Sequence, residues 1–364
     1  MALTVTEAFS VQSPNGNSLA IFIEAQSGEI KLKDVNGKVE ALTDYISGSP
    51  YRYNATETSA IEPILGGNSA SGNFSAIGGG GGNITTGNSS SIVGGSSNTA
   101  SASLSVVVGG AGNTASGCFS SVAGGFCNTA STQFSTIVGG CYNSASGCFS
   151  SIGNGCRNTA SSCFSNVSSG MCNVASGRFS FIGGGCGNTA SFLYSTLSGG
   201  YRNVSSGYWS TNSGGYKNTS SSANSVVGGG WCNTACGGCS TVSGGKFNRA
   251  TAIYSSVLGG GSNLASGGGS GVLSGNSGIS SGCHSSVTGG KNNTASGNCS
   301  SILGGAYNNT NTCAKTMIVG SNITANRACT TFVNNLSIMN IPTSAAGLPS
   351  GSVWNSSGVL CIVP

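Results

Sequence analysis

The sequence predicts an all-β fold, a parallel β-solenoid or β-roll of about seventeen coils of 15 residues each. Steps of fifteen residues from Asn68 to Asn308 land on Asn every time except at Gly278. The repeat is rich in Gly, Ser, Asn, Thr and β-branched residues and poor in Leu, Glu and Lys, which excludes helices on propensity. Because one extra residue would move every later side chain out of line, the unbroken frame indicates that each copy stacks on the next.

The clearest copy spans residues 113–127 and reads NTASGCFSSVAGGFC, with its Asn numbered here as position 1. A strand predicted over positions 6–11 places Ser at position 8 and Val or Ile at position 10 on one face. The exceptions at position 10 are Leu197, Asn212 and Met317. Gly at positions 12 and 13, and Gly or Ser near position 5, predict two tight turns. The Asn side chains are expected to stack in a ladder in which each amide donates and accepts.

Position 7 carries aromatic side chains, which the alternation places on the strand face opposite the aliphatic side chains of position 10. A coil this thin buries few apolar groups, so an aromatic row on its second face should be covered. We expect an interface between chains of an oligomer, and a ligand-binding stripe is the alternative. The interface candidates are Phe119, Phe134, Phe149, Phe164, Phe179, Tyr194 and Trp209.

The motif Ala-Ser-Gly-x-Phe/Tyr-Ser-x-x-x-Gly-Gly, followed by Asn-Thr-Ala, resembles the repeats in head domains of trimeric autotransporter adhesins. Similar repeats occur in phage tail fibres and related virion fibres. The likeness covers about 250 of the 364 residues. It implies a left-handed parallel β-roll with three chains side by side. A low-complexity motif of this kind indicates an architecture and does not identify a receptor.

Residues 1–62 differ in composition and predict a small β-meander, with strands near 18–24, 28–35 and 38–42 and an Asn-Gly turn at 36–37. We interpret this segment as an attachment module for other virion or tail proteins. A cap on the first coil is the alternative.

Residues 63–320 contain the repeats, and residues 321–364 break the frame. In the last segment the sequence predicts a strand within 330–339 and a hairpin with its turn at 355–358. We expect this segment to close the last coil as a β cap.

Charge separates the two parts of the chain. Residues 1–62 hold all eight acidic residues with four bases, and the rest of the chain holds nine bases and no acid. A usual glycosidase needs two carboxylates, a Ser-His-acid triad needs its acid, and calcium sites need carboxylate oxygens. We therefore expect no catalytic site, metal site or cofactor, and we interpret His284 as a substitution at position 7.

Sixteen cysteines occupy scattered repeat positions, and they lack the paired C-x-x-C spacing of a zinc site. The one C-x-x-C, Cys236 to Cys239, falls inside an ordinary repeat. We interpret the cysteines as compact buried residues that replace Ser or Ala. The alternative is oxidation, for which Cys148 and Cys163 on adjacent coils are within disulfide reach.

Positions 14 and 15, in the turn after Gly-Gly, vary most and carry rings and bases. Rings stack on sugars and cations hold acidic glycans, so this turn is predicted to bind a host-surface glycan or protein receptor. Packing on a neighbouring chain is the alternative. Bases spread singly along the repeats argue against a nucleic-acid partner. The candidate contacts are Tyr201, Arg202, Tyr216, Lys217, Trp231, Lys246 and Phe247.

The sequence shows no signal-peptide pattern and no apolar stretch of transmembrane length. This favours synthesis in a host cytoplasm and assembly onto a virion, without membrane insertion. We expect a non-enzymatic, homotrimeric phage tail fibre or receptor-binding fibre that mediates host attachment. The alternatives are a bacterial cell-surface adhesin or extracellular filament subunit, and a polysaccharide depolymerase.

Overall fold

The structure is a computed structural model of the 364-residue chain. The chain divides into two compact units, Met1–Gly200 and Tyr201–Pro364, which are described one at a time. Of the strands before residue 51, and of Tyr53 and Val359, the backbone alone is described. The described ranges are 9–12, 18–23, 30–33, 39–41, 51–53, 60–63, 66–336, 341–356 and 359–363.

The first unit begins with a four-stranded antiparallel sheet in the order β1-β2-β3-β4. Its strands are β1 (Phe9–Gln12), β2 (Ser18–Ile23), β3 (Ile30–Lys33) and β4 (Val39–Ala41). The three strands predicted here are confirmed, and β1 is additional. The predicted Asn-Gly turn at 36–37 lies outside the described residues.

A short hairpin covers the start of the repeats. Strand β5 (Tyr51–Tyr53) pairs antiparallel with β6 (Ile61–Pro63), and Ile61 pairs in parallel with Ala76 of the first coil. Glu62 is only 4% exposed and accepts hydrogen bonds from Arg52 Nε, at 2.7 Å, and from the backbone of Ala70. A buried carboxylate is stable when it is paired in this way. Glu62 therefore connects the hairpin to the first coil through the backbone of Ala70.

The repeats form a parallel β-solenoid of about 18 turns in all, which confirms the predicted fold class. Each coil contributes one two-residue strand at positions 2–3 and another at positions 9–10, and each strand pairs in register with the equivalent strand fifteen residues on. The strands at positions 2–3 of the first unit are β7 (Ser69–Ala70), β9 (Ile84–Thr85), β11 (Thr99–Ala100), β13 (Thr114–Ala115), β15 (Thr129–Ala130), β17 (Ser144–Ala145), β19 (Thr159–Ala160), β21 (Val174–Ala175) and β23 (Thr189–Ala190). Those at positions 9–10 are β8 (Ala76–Ile77), β10 (Ser91–Ile92), β12 (Val106–Val107), β14 (Ser121–Val122), β16 (Thr136–Ile137), β18 (Ser151–Ile152), β20 (Asn166–Val167), β22 (Phe181–Ile182) and β24 (Thr196–Leu197).

The second unit repeats this plan and ends with an antiparallel hairpin. Its strands at positions 2–3 are β25 (Val204–Ser205), β27 (Thr219–Ser220), β29 (Thr234–Ala235), β31 (Arg249–Ala250), β33 (Leu264–Ala265), β35 (Ile279–Ser280) and β37 (Thr294–Ala295). Those at positions 9–10 are β26 (Thr211–Asn212), β28 (Val226–Val227), β30 (Thr241–Val242), β32 (Ser256–Val257), β34 (Gly271–Val272), β36 (Ser286–Val287), β38 (Ser301–Ile302), β39 (Met317–Val319) and β40 (Thr331–Val333). The hairpin is β41 (Val353–Ser356) with β42 (Val359–Ile362).

Four positions of the coil point inward and form the core. In the copy at 113–127 these are Asn113, Ala115, Ser120 and Val122, each 1% exposed or less. The predicted common face of positions 8 and 10 is therefore confirmed by burial. The apolar core of each unit consists of Ala at position 3 and Val, Ile or Leu at position 10.

The asparagines bind the backbone and do not stack amide on amide as predicted. Asn113 Nδ2 donates to the carbonyl oxygens of Gly109, at 3.0 Å, and Gly125, at 2.9 Å, and its Oδ1 accepts the backbone N–H of Asn128 at 3.0 Å. Each buried amide therefore satisfies turn carbonyls and one backbone N–H at every rung. Gly278 still donates its N–H to Asn263 Oδ1 at 2.8 Å, but it has no side chain to continue the ladder.

Three corners of the coil have positive φ: position 7, position 13 and position 15. Phe149 (φ 56°) and Tyr142 (φ 55°) show this at positions 7 and 15. The predicted strand over positions 6–11 is therefore wrong, because a strand cannot pass through a left-handed residue at position 7. At position 13 only glycine fits, since a Cβ on Gly140 (φ 90°) would lie 2.0 Å from the carbonyl oxygen of Gly155.

Position 5 holds glycine or a larger residue, and the two alternate from coil to coil between Ala102 and Ala252. A Cβ on Gly147 would lie 2.0 Å from the carbonyl oxygen of Ser162, the equivalent residue of the next coil. The same approach, at 2.1 Å, occurs at Gly72 and Gly267, where the next coil also has glycine. Close packing of adjacent coils therefore excludes a side chain at these glycines. The alternating residues are Ala102, Gly117, Thr132, Gly147, Ser162, Gly177, Phe192, Gly207, Ser222, Gly237 and Ala252.

The repeat continues past Gly320, where the sequence places its end. Strand β39 pairs in parallel with β40, so that Ile318 lies opposite Phe332. Ile302 pairs with Ile318, so this step is one residue longer than the 15-residue repeat. Ile318, and not Met317, therefore occupies the buried position 10. The predicted C-terminal hairpin is confirmed, although Asn355 and Ser356 belong to β41 and the rest of the predicted turn lies outside the described residues.

Candidate functional site

The predicted recognition residues lie in the second unit at the corner formed by positions 14 and 15. Tyr201, Tyr216, Trp231 and Lys246 occupy position 14 of four successive coils, and each forms a parallel backbone bridge with the next. The rungs are about 4.8 Å apart, the spacing of paired strands. The structure therefore brings all seven predicted contacts into one row, called here the basic aromatic row: Tyr201, Arg202, Tyr216, Lys217, Trp231, Lys246 and Phe247.

The rings of the row do not share one orientation. Tyr201 and Tyr216 stack with ring centroids 5.3 Å apart and planes 10° apart. Trp231 then turns its plane 87° to that of Tyr216, at 5.9 Å, and lies 5.8 Å from Phe247 with the planes 38° apart. Each ring is between 37% and 46% exposed. The row therefore presents both ring faces and ring edges to solvent.

Each base in the row lies over a ring of its own chain. Arg202 is 5.1 Å from the ring centroid of Tyr201, and Lys217 is 5.1 Å from that of Tyr216. Lys246 Nζ is 4.1 Å from the ring centroid of Trp231 and 5.1 Å from that of Phe247. These contacts orient the bases along the row. Their gain in free energy is modest, because exposed cation–π pairs contribute about 0.5–1 kcal/mol each.

No carboxylate side chain offsets these positive charges within their unit. The sequence has no Asp or Glu after Glu62, while Arg202 and Lys217 lie on successive rungs and Lys246 lies two rungs beyond Lys217. Arg249, in β31 and on the neighbouring sheet, is a further exposed base. The row is therefore a local concentration of positive charge beside exposed rings.

A different arrangement occupies position 7 of the first unit, called here the ring ladder: Phe119, Phe134, Phe149, Phe164, Phe179 and Tyr194. Successive ring centroids are 4.6–5.0 Å apart and successive planes differ by 2–15°. Phe119, Phe149 and Phe164 are 43–47% exposed. The rings project from a corner of the coil, and not from a strand face as predicted. Trp209 belongs to the second unit, where its ring lies 4.4 Å from that of Tyr208.

The prediction that the cysteines are buried is wrong, because all sixteen are half-buried or exposed. The inward positions are already filled by Asn, Ala, Ser and aliphatic residues, so the cysteines occupy outward positions. The pKa of the Cys156 thiol is raised by its hydrogen bond with Cys141, by burial and by the charge of Cys141, against the opposing charge of Arg157.

Other candidate sites carry less chemistry. His284 lies at a position-7 corner with φ 54°, and it is exposed. Within the described ranges no three or more His, Cys, Asp or Glu side chains are placed to hold a metal ion. In the same part of the chain, no helix has the length and hydropathy needed to cross a bilayer. A groove of about 560 Å³ between 319–321 and 333–335 is lined by Val, Gly, Ser and Asn.

The chain was compared with models of known protein families and with curated proteins, and neither comparison finds a match.

Proposed function

We propose that this protein is a structural fibre subunit of a virion and that it attaches the particle to an acidic glycan on the host surface through the basic aromatic row. The observation that carries the proposal is the line of exposed rings and bases on four successive rungs, in a unit without a carboxylate side chain. Rings supply flat apolar faces for sugar rings, and the bases supply the attraction for carboxylate or sulfate groups.

The length of the row fits a short oligosaccharide. Four rungs span about 15 Å at the spacing of paired strands. A site this open binds weakly by itself, so attachment depends on several copies of the fibre that engage one surface at once. Multivalent binding of this kind agrees with a homo-oligomer, and the repeat resemblance favours a trimer.

The ring ladder is the surface we assign to contact between the chains of that oligomer. At Phe179 the guanidinium of Arg178 lies 5.0 Å from the ring centroid, and the ring-bearing residues themselves are uncharged. An uncharged, regular row of half-exposed rings is the composition found at the centre of protein–protein interfaces. Residues 1–62 carry the acidic charge of the chain and are proposed to bind other virion proteins.

The proposal is tested with the double variant Arg202→Ala and Lys217→Ala. We expect weaker attachment to host cells and to an immobilised sulfated or carboxylated polysaccharide, with an unchanged melting temperature, because both side chains are exposed. The matched control is Arg157→Ala with Arg327→Ala, which removes the same charge from exposed positions outside the row and the ring ladder. Equal loss in both variants, or no loss in either, would remove the row from the attachment mechanism.

Imaging distinguishes the virion fibre from a cell-surface adhesin. An antibody against the chain should label particles released by lysis. Labelling of intact cells in the absence of particles would identify an adhesin or filament subunit instead.

A further inference from the structure

Four sulfur-containing side chains follow one another at a single corner of the first unit. Cys141, Cys156, Met171 and Cys186 occupy position 14 of successive coils, and parallel backbone bridges join each to the next. The backbone N–H groups of Cys141, Cys156 and Met171 donate to carbonyl oxygens of the following coil at 2.8–2.9 Å. The backbone of this sulfur row is therefore held at every rung, and its side chains emerge about 4.8 Å apart.

The side chains of the row are close together and accessible. The backbone bridge between Cys141 and Cys156 places their side chains at the same corner on adjacent rungs. Both residues are half-buried, as is Cys186, and Met171 is 49% exposed. Solvent and small ions reach these sulfur atoms without any movement of the coil.

We propose that Cys141 and Cys156 bind one soft monovalent cation of the Cu(I) or Ag(I) type, with the thioether of Met171 as a third ligand from the next rung. Each thiol releases its proton to solvent when the cation binds. The product is a bis-thiolate complex, and no atom changes its oxidation state. The site is independent of the basic aromatic row and of the proposed attachment function.

The donor atoms decide the class of metal. Thiolate and thioether sulfur select Cu(I) and related soft ions, whereas carboxylate and carbonyl oxygen suit magnesium, calcium and manganese. No carboxylate side chain follows Glu62 in the sequence. A structural zinc site takes four Cys or His ligands, and within the described residues no group of even three His, Cys, Asp or Glu side chains can hold a metal. A site of two thiolates and one thioether therefore fits a soft ion of low coordination number.

The solenoid also explains why the site would be formed before the metal arrives. Successive rungs of a paired sheet hold equivalent side chains at a constant spacing, and parallel backbone bridges join Cys141 to Cys156 and Cys156 to Met171. A cation that replaces the two thiol protons meets ligands from adjacent rungs without rearrangement of the backbone. Preformed geometry lowers the cost of binding.

The test is a titration of the full-length, reduced protein with Cu(I) under anaerobic conditions, in the presence of a competing Cu(I) chelator. Native mass spectrometry counts the ions that each chain retains. We expect one tightly held ion in the unaltered chain, none in Cys141→Ser with Cys156→Ser, and one in the control Cys118→Ser with Cys239→Ser, whose two thiols are exposed and lie in distant coils. Met171→Leu keeps the side-chain volume and should weaken retention on the order of tenfold, the size of effect seen when a metal site loses a supporting group.

Three results would overturn the proposal. One is an ion retained equally by the Cys141/Cys156 double variant, which would place the site among other thiols. Another is equally tight retention of Zn(II) by the unaltered chain. The third is a Cys141–Cys156 disulfide, found by peptide mapping, that persists under the reducing conditions of the titration, because it would leave no thiolate to bind the cation. All variants are first checked for an unchanged melting temperature, which is expected because the replaced thiols lie outside the core.

Discussion

The ring ladder of the first unit and the basic aromatic row of the second use the same backbone in different ways. Both contain bulky residues at positive φ, for example Phe149 at 56° and Phe247 at 57°. In the ladder the rings are nearly parallel at every step, with planes that differ by no more than 15°. In the row the planes change by as much as 87°, and three of the four rungs carry a base. The corner geometry therefore does not determine how the side chains are arranged.

Under the proposed function, the two surfaces meet two kinds of partner. A ladder in which each ring repeats its neighbour is complementary to another periodic surface, and a second copy of the chain provides one. A row that changes its ring orientation and carries charge suits a partner without the 15-residue period, such as a glycan. Both surfaces need the register of the coils.

Loss of register should damage the fold most. Deletion of Gly140 alone shifts every later residue of the coil stack, and it removes the carbonyl that Asn128 Nδ2 binds at 2.9 Å. We expect destabilisation of about 4 kcal/mol or more, in the range of exceptional single changes. Deletion of the complete coil 128–142 should leave a folded protein with one rung fewer. Thermal melting compares the two, and equal tolerance of both deletions would contradict the stacked-coil fold.

Removal of the central rings should separate the chains. In the variant with Phe134, Phe149 and Phe164 all changed to Ser, we expect monomers or aggregates in native mass spectrometry, because interface anchors commonly contribute about 2 kcal/mol or more each. The matched control changes the stacked pair Tyr201 and Tyr216 to Ser and should leave the oligomer intact. An oligomer that survives the triple change would make the ladder a binding stripe and would reverse its assignment.

Substitution by glycine at position 7 should have opposite effects on the free energy of unfolding in the two units. Phe149 stacks on Phe134 at 4.6 Å and on Phe164 at 4.9 Å, and each such pair stabilises by about 0.5–1.5 kcal/mol. Tyr254 has nearly the same φ, 57°, and is 66% exposed. At position 7 the preceding coil has Cys239 and the following coil has Gly269.

We therefore expect Phe149→Gly to destabilise and Tyr254→Gly to stabilise by about 1 kcal/mol each, because glycine removes the strain of a left-handed residue but also removes any stacking. Chemical denaturation of the full-length chain and of each variant measures both changes in the free energy of unfolding. A stabilised Phe149→Gly variant would show that the ladder does not hold its own rungs together.

Salt should weaken glycan binding and leave the oligomer unchanged. Raising the ionic strength from about 0.05 M to about 0.5 M shortens the screening length several-fold. Each exposed contact between a base and an acidic sugar contributes about 0.2–1 kcal/mol and is screened by salt, whereas contacts between the phenylalanine rings are not. Glycan binding and native mass are measured over the same salt series. Glycan binding that does not respond to salt would assign recognition to the rings alone.

The arrangement of the basic aromatic row was predictable from the period, because Tyr201, Tyr216 and Trp231 are spaced by fifteen residues and the coils pair in register. The contacts of Lys246 with Trp231 and Phe247 were not, since side-chain orientation depends on neighbours that are distant in sequence. The residues of the sulfur row are also spaced by fifteen. Each cysteine taken separately, however, was interpreted as a small residue that replaces Ser or Ala. A search along position 14 of the repeat would have found Cys141, Cys156, Met171 and Cys186 together.

By itself the sequence determined the coil length, the absence of helix in the repeats and the common face of positions 8 and 10, because these follow from a fixed period and from residue propensities. The tertiary structure alone decided two things. It placed position 7 at a corner, and it directed the cysteines outward. The corner depends on atoms of a neighbouring coil, as when the backbone N–H of Phe149 donates to the carbonyl oxygen of Gln133 at 3.0 Å. A single copy of the repeat does not contain these contacts, so its pattern could not predict them.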